Sequence, residues 1–191
     1  MSPVDAEVIL RRNVDELRAL LVDASGFVPQ IAAAADKLAT SFLLGGKLLA
    51  CGNGGSAMDA SHLTTEFVCR YSKERRPYPA ISLATQGGDL TAIGNDYEFN
   101  DIFARQIEAF GQPGDVLMAL TTSGRSENIR RALIAGGKQK MVTISFLGKG
   151  GGNCIGLGDI ELLVDSTTTA RIQEVHKLLL HTICELADQR L

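Results

Sequence analysis

The chain has 191 residues, of which 45% are hydrophobic and 21% charged. That gives room for one domain with a substantial core, at the composition of an ordinary globular protein. A net charge of −3 offers no attraction to nucleic acid or to an anionic membrane, and no stretch approaches the roughly 20 apolar residues of a membrane helix.

Ser2, Pro3 and Asp5 make a helix start, with a capping hydroxyl, a proline in the first turn and an acid near the N-terminus. Val8, Leu10, Val14, Leu17 and Leu21 follow at mostly helical spacing, so 3–24 reads as an amphipathic helix. Asp5, Glu7, Arg11 and Arg12 interrupt any apolar run, which argues against an export signal and for the cytoplasm. A second helix fits 27–44, closed by Gly45-Gly46, and the two form a leading helical hairpin over 1–46.

From 47 to 191 the chain alternates strand with helix. "KLLAC" (47–51) is short, apolar and followed by glycines, as a buried strand should be. Helix 56–70 precedes strand 80–84, and helix 100–110 precedes strand 115–120. Helix 126–136 precedes strand 141–147, a further strand lies at 160–165, and a long helix covers 170–189. The basic cluster "SKERRP" (72–77) contains Glu74 and reads as a solvated loop. The four cysteines, Cys51, Cys69, Cys154 and Cys184, lack CxxC spacing and read as reduced thiols. This alternation predicts a parallel sheet with helices on both faces, in one α/β domain over 1–191.

Two loops stand out. "CGNGGSA" (51–57) joins a strand to a helix, where glycines let backbone N–H groups face an anion. It approximates a dinucleotide fingerprint, but no acid follows at the end of the next strand, where a ribose would need one, and the Walker GK[ST] ending is absent. "TTSGRSEN" (121–128) also follows an apolar strand and opens a helix, and it offers four hydroxyls, on Thr121, Thr122, Ser123 and Ser126. Ser126 alone fits a helix cap. Two polar loops at the carboxyl ends of parallel strands fit a small phosphorylated ligand better than a nucleotide.

Within helix 56–70, His62 and Glu66 are i,i+4 neighbours on one face. Gln173 and His181 lie eight residues apart in the last helix, about 80° round its axis and roughly 12 Å along it. His176 points about 140° away from His181, so one site does not use both. Imidazole and carboxylate ligands suit zinc, whereas a Gln amide is an uncommon ligand, and spacing alone leaves surface pairing and core packing open.

Four ordered motifs, "CGNGGSAMDASHLTTEF", "AIGNDYEFNDIF", "TTSGRSENI" and "ARIQEVHKLLLH", resemble the phosphoheptose isomerases, which have the SIS (sugar isomerase) fold. The resemblance covers nearly the whole chain. It implies interconversion of sedoheptulose 7-phosphate and D-glycero-D-manno-heptose 7-phosphate through an enediol, the first step towards ADP-heptose for cell-surface polysaccharide such as lipopolysaccharide. It also implies a homotetramer with sites at subunit boundaries and one zinc per subunit. Matched by motif, the metal ligands are His62, Glu66, Gln173 and His181. The matched substrate contacts are Asn53, Gly54, Gly55, Ser56, Glu66, Asn95, Asp96, Thr121, Thr122, Ser123, Ser126 and Gln173, with Glu66 and His181 as base and acid.

Such a reaction needs a base over the carbons, an acid near the oxygens and a means of holding developing negative charge, which zinc can help to supply. The chain departs from the pattern at Thr121, at Arg125 where Asn is common, and at Ala170 where some members have Asp. Two alternatives keep the fold: a non-catalytic member that binds a replication initiator or senses a phosphosugar, and an isomerase of another sugar phosphate. A protein that only binds has no chemical need for His62, Glu66 and His181 together.

Overall fold

The computed structural model describes residues 5–191. Helix α1 (Ala6–Leu21) is capped by Asp5, whose carboxylate accepts from the N–H groups of Glu7 and Val8 at 3.0 and 3.4 Å. The expected start at Ser2 and Pro3 lies outside the described residues. Helix α2 (Val28–Leu43) carries Pro29 in its first turn, where the missing N–H costs nothing. A 3-10 turn over Ala24–Phe27 joins the two at a bend of 52°. The expected hairpin is therefore, in detail, a bent pair whose members both pack against the last helix, α7 (Thr169–Asp188). Among the described residues no single helix is long and apolar enough to cross a membrane.

Five strands form the sheet: β1 (Leu48–Gly52), β2 (Ala80–Ser82), β3 (Val116–Thr121), β4 (Val142–Gly148) and β5 (Ile160–Val164). All neighbours are parallel and the order is β2-β1-β3-β4-β5. Side chains alternate between two cores, as the two-residue period of a strand requires. Leu48, Ala50, Met118 and Phe146 pack with α2, α7 and helix α3 (Gly55–Val68). Leu49, Cys51, Leu117 and Leu147 pack with helices α5 (Ala104–Phe110) and α6 (Glu127–Lys138) on the opposite face. Each fully buried Leu, Ile or Phe side chain contributes about 1.5–3 kcal/mol.

Polar contacts set the strand starts. Asp115, before β3, accepts from the backbone N–H of Lys47 at 2.9 Å, its ammonium at 2.6 Å and the N–H of Gln112 at 2.8 Å. The bottom edges of β1 and β3 are thereby tied together, which fixes the height at which their upper ends release the two loops.

Three expectations change. Strand β2 stops at Ser82 rather than 84, because the chain turns there, with the Thr85 N–H donating to the Ser82 carbonyl. The segment after it forms a helix that the sequence did not suggest, α4 (Gly87–Asp96), in which the Thr91 hydroxyl donates to the Gly87 carbonyl. The helix expected over 100–110 is a 3-10 turn at Phe99–Asp101 followed by the shorter α5. The basic cluster is not uniformly solvated either. Arg75 is buried against Asp188 at 2.5 Å and donates to the carbonyls of Glu66 and Phe67, so it braces the end of α3.

Candidate active site

The order β2-β1-β3-β4-β5 reverses direction between β1 and β3, and ligands of open α/β sheets bind above such a switch point. Both polar loops emerge there. Gly52 ends β1 with no room for a side chain, since a Cβ would lie 2.4 Å from the Ser56 carbonyl oxygen. Gly54 has φ +55 and caps α3, whose first turn holds the buried Ser56. Gly55 lies so close to α7 that a Cβ would meet the Gln173 amide at 2.5 Å. On the other loop, Thr121 accepts from the Gly124 N–H at 3.2 Å and its hydroxyl lies 3.4 Å from that of Ser126. Ser126 occupies the N-cap position of α6 yet makes no capping bond with its side chain, which leaves the hydroxyl available to a ligand. Asn53 and Asn128 exchange amide hydrogen bonds at 2.9 Å in both directions and lock one loop to the other. The loops, Thr169 and Gln173 enclose a cleft of about 310 Å³.

Further along α3, two turns from the glycine loop, His62 and Glu66 face His181 of α7. His62 Nε2 lies 2.8 Å from His181 Nε2 and 3.1 Å from Glu66 Oε1. One donor atom from each of the three residues falls within 4.8 Å of the others. Burial, and then the neighbouring His62, hold the His181 imidazolium below its ordinary range, so the ring is neutral near pH 7. Two imidazole nitrogens and a carboxylate oxygen gathered this closely suit a divalent ion. Bonds of about 2.0–2.1 Å in a tetrahedral shell place neighbouring donor atoms about 3.3 Å apart, a spacing near the 2.8 and 3.1 Å that His62 Nε2 makes with His181 and Glu66.

The SIS domain family matches residues 15–148. A phosphoheptose isomerase of Shewanella sp. (strain ANA-3) is 48% identical over 174 residues, which cover 89% of this chain and 88% of its own length. The chain belongs to the phosphoheptose isomerase family. Solved structures agree. A phosphoheptose isomerase from Francisella tularensis superimposes with a TM-score of 0.92 at 36% identity, covering 97% of this chain and 100% of that one. One from Neisseria gonorrhoeae gives 0.89 at 36% identity, covering 96% and 100%.

In this family member the two loops meet, with Asn53, Gly54, Gly55, Ser56, Thr121, Thr122, Ser123 and Ser126 around one cleft. Three of the four expected metal ligands, His62, Glu66 and His181, come together. Gln173 instead rests its amide at Gly55, on the cleft side. Asn95 and Asp96 end α4, exposed and bonded to each other at 2.7 Å, and do not line the cleft within one chain. His176 turns away, buried, with Nε2 3.1 Å from the Leu147 carbonyl. Four side chains that the sequence did not single out also stand here: Asn128, Thr169, Asp59 and Lys177. The last two had a signal. Asp59 precedes His62 by three residues, and Lys177 lies midway between Gln173 and His181.

Proposed function

We infer that this chain interconverts sedoheptulose 7-phosphate and D-glycero-D-manno-heptose 7-phosphate as an aldose–ketose isomerase. The observation that carries the reading is the convergence, above the β1/β3 switch point and along one α3–α7 face, of a hydroxyl-rich cleft and a His–Glu–His cluster. The relatives that are 48% and 36% identical and named phosphoheptose isomerases supply the substrate class.

In this reading the cleft holds the phosphate. N–H groups at the start of α3 and the hydroxyls of Ser56, Thr122, Ser123 and Ser126 surround its oxygens, and the positive ends of α3 and α6 favour its charge. The carbonyl end then reaches towards Glu66. Its side chain is 15% exposed, shielded enough to exclude bulk water yet open to substrate. The Glu66 carboxylate takes the proton from the carbon beside the carbonyl and returns it to the adjacent carbon. Neutral His181 moves the accompanying proton between the two oxygens. His62, Glu66 and His181 are the residues that would hold zinc, with Gln173 as the further expected contact to ion or substrate, and a bound ion would supply positive charge to stabilise the developing enediolate. Asn95 and Asp96 serve a neighbouring subunit's site in a homotetramer, which accounts for their distance from the cleft of their own chain. The protein works in the cytoplasm and feeds synthesis of a heptose-containing lipopolysaccharide or related surface polymer.

The two halves of the site should fail separately. Ser123→Ala with Ser126→Ala removes donors to a charged group, worth about 1.5–3 kcal/mol each, and should chiefly raise KM. Glu66→Gln should lower kcat by roughly 100-fold or more with a smaller change in KM. In deuterated water that variant should also lose exchange at the carbon beside the carbonyl. Exchange at the wild-type rate would remove Glu66 from the role of base.

A further inference from the structure

Between the loop cleft and the His62–Glu66–His181 cluster, α3 and α7 border a second cleft of about 460 Å³. Asp59 and Lys177 line it, with carboxylate and ammonium meeting at 2.7 Å. Helix geometry fixes their station. Gln173, Lys177 and His181 succeed one another every four residues on α7, so each stands about 6 Å further along and about 40° round. On α3, Asp59 follows Gly55 by four residues and precedes His62 by three and Glu66 by seven, all on one face. The ion pair is therefore one helical turn from the phosphate loops and one turn from the cluster.

We propose that Asp59 and Lys177 are specificity-determining residues that read the middle of the substrate, the carboxylate accepting from and the ammonium donating to hydroxyls between phosphate and carbonyl. The proposal rests on the isomerase reading above. A sugar phosphate with its phosphate in the loops and its carbonyl at Glu66 must run its intervening carbons past this pair. The side chains are 11% and 34% exposed, sheltered from bulk water but reachable by a ligand. Of the other polar groups on the cleft wall, Glu174 is committed to Arg171 at 2.6 Å, and the Gln173 amide stands against Gly55, at the end of the cleft next to the phosphate loops. Ala170, also on the wall, offers none. A pair in this position rewards a substrate long enough to span both ends and polyhydroxylated in between. A shorter phosphate engages only the loops.

The test compares two ligands by calorimetry, sedoheptulose 7-phosphate and inorganic phosphate, on wild type and Lys177→Met. The variant should bind the sugar phosphate roughly 10-fold or more weakly, the scale of one bond to a charged group, and inorganic phosphate within about twofold of wild type. Lys177→Arg should restore most of the loss. Because Lys177→Met leaves Asp59 unpaired, the double variant with Asp59→Asn is measured too; it removes both charges and should show the same selective loss. An unchanged sugar-phosphate affinity, or equal losses for both ligands, overturns the proposal and makes the pair a structural brace. Wild-type protein that binds the sugar phosphate selectively through Lys177 but does not convert it overturns the isomerase reading alone.

Discussion

His176, which helix geometry sets apart from His181, has a structural place in the fold. Its Nε2–H donates to the Leu147 carbonyl, and Nδ1 is buried without a partner. Burial pushes its pKa down to about 4, against the opposing pull of that hydrogen bond. The unfolded chain titrates near 6.5. Between pH 6.5 and 4 the unfolded state therefore binds a proton that the folded state refuses, and stability must fall as pH drops through that window. His176→Gln keeps a donor and removes the titration. Chemical denaturation at a series of pH values should show a shallower slope for the variant, by up to about 1.4 kcal/mol per pH unit. Equal slopes would show that His176 is already protonated in the fold. Arg75 makes the converse point. In sequence it belongs to a charge run, and only the fold reveals Asp188, 113 residues away, as its partner.

At the scale of elements, the strands and both loops were legible because each uses a strong local signal: an apolar run that ends in glycines or in hydroxyl residues beside a helix start. Helix α4 was not, since Gly87, Gly88 and Gly94 give it a turn-like composition and it buries no residue fully. The His62–Glu66–His181 cluster was half legible. The i,i+4 pair can be read along α3, but its closure depends on how α7 packs against α3, which no local pattern states. That closure carries a prediction. An ion held by His62 and Glu66 of α3 and His181 of α7 would add a cross-link to two helices otherwise joined by side-chain packing and the Asp59–Lys177 ion pair, so it should stabilise the fold by mass action. Protein purified without chelator should contain about one zinc per chain. Removing it should lower the Tm and speed hydrogen exchange in the C-terminal half of α7, whereas His62→Ala should be insensitive to chelator. Chelation that changes neither Tm nor exchange would deny the cross-link.

At the scale of the molecule, α1 buries no residue and leaves Val8, Leu10 and Val14 exposed at 61%, 64% and 50%. Tyr97 and Phe99, beside Asn95 and Asp96, are exposed as well. Apolar surface on a helix outside the β/α alternation, and beside two residues proposed to serve a neighbouring site, is what an assembly with shared sites would bury. Light scattering should report four times the chain mass of 20.4 kDa, and a monomer with full activity would refute shared sites. If loops and cluster act together, the whole molecule isomerises a seven-carbon sugar phosphate. NMR of the wild-type protein with sedoheptulose 7-phosphate in deuterated water tests it most directly. The expected product is the aldose D-glycero-D-manno-heptose 7-phosphate, with deuterium at the carbon beside its carbonyl. Sedoheptulose 7-phosphate that binds, stays unconverted and takes up no deuterium would contradict it.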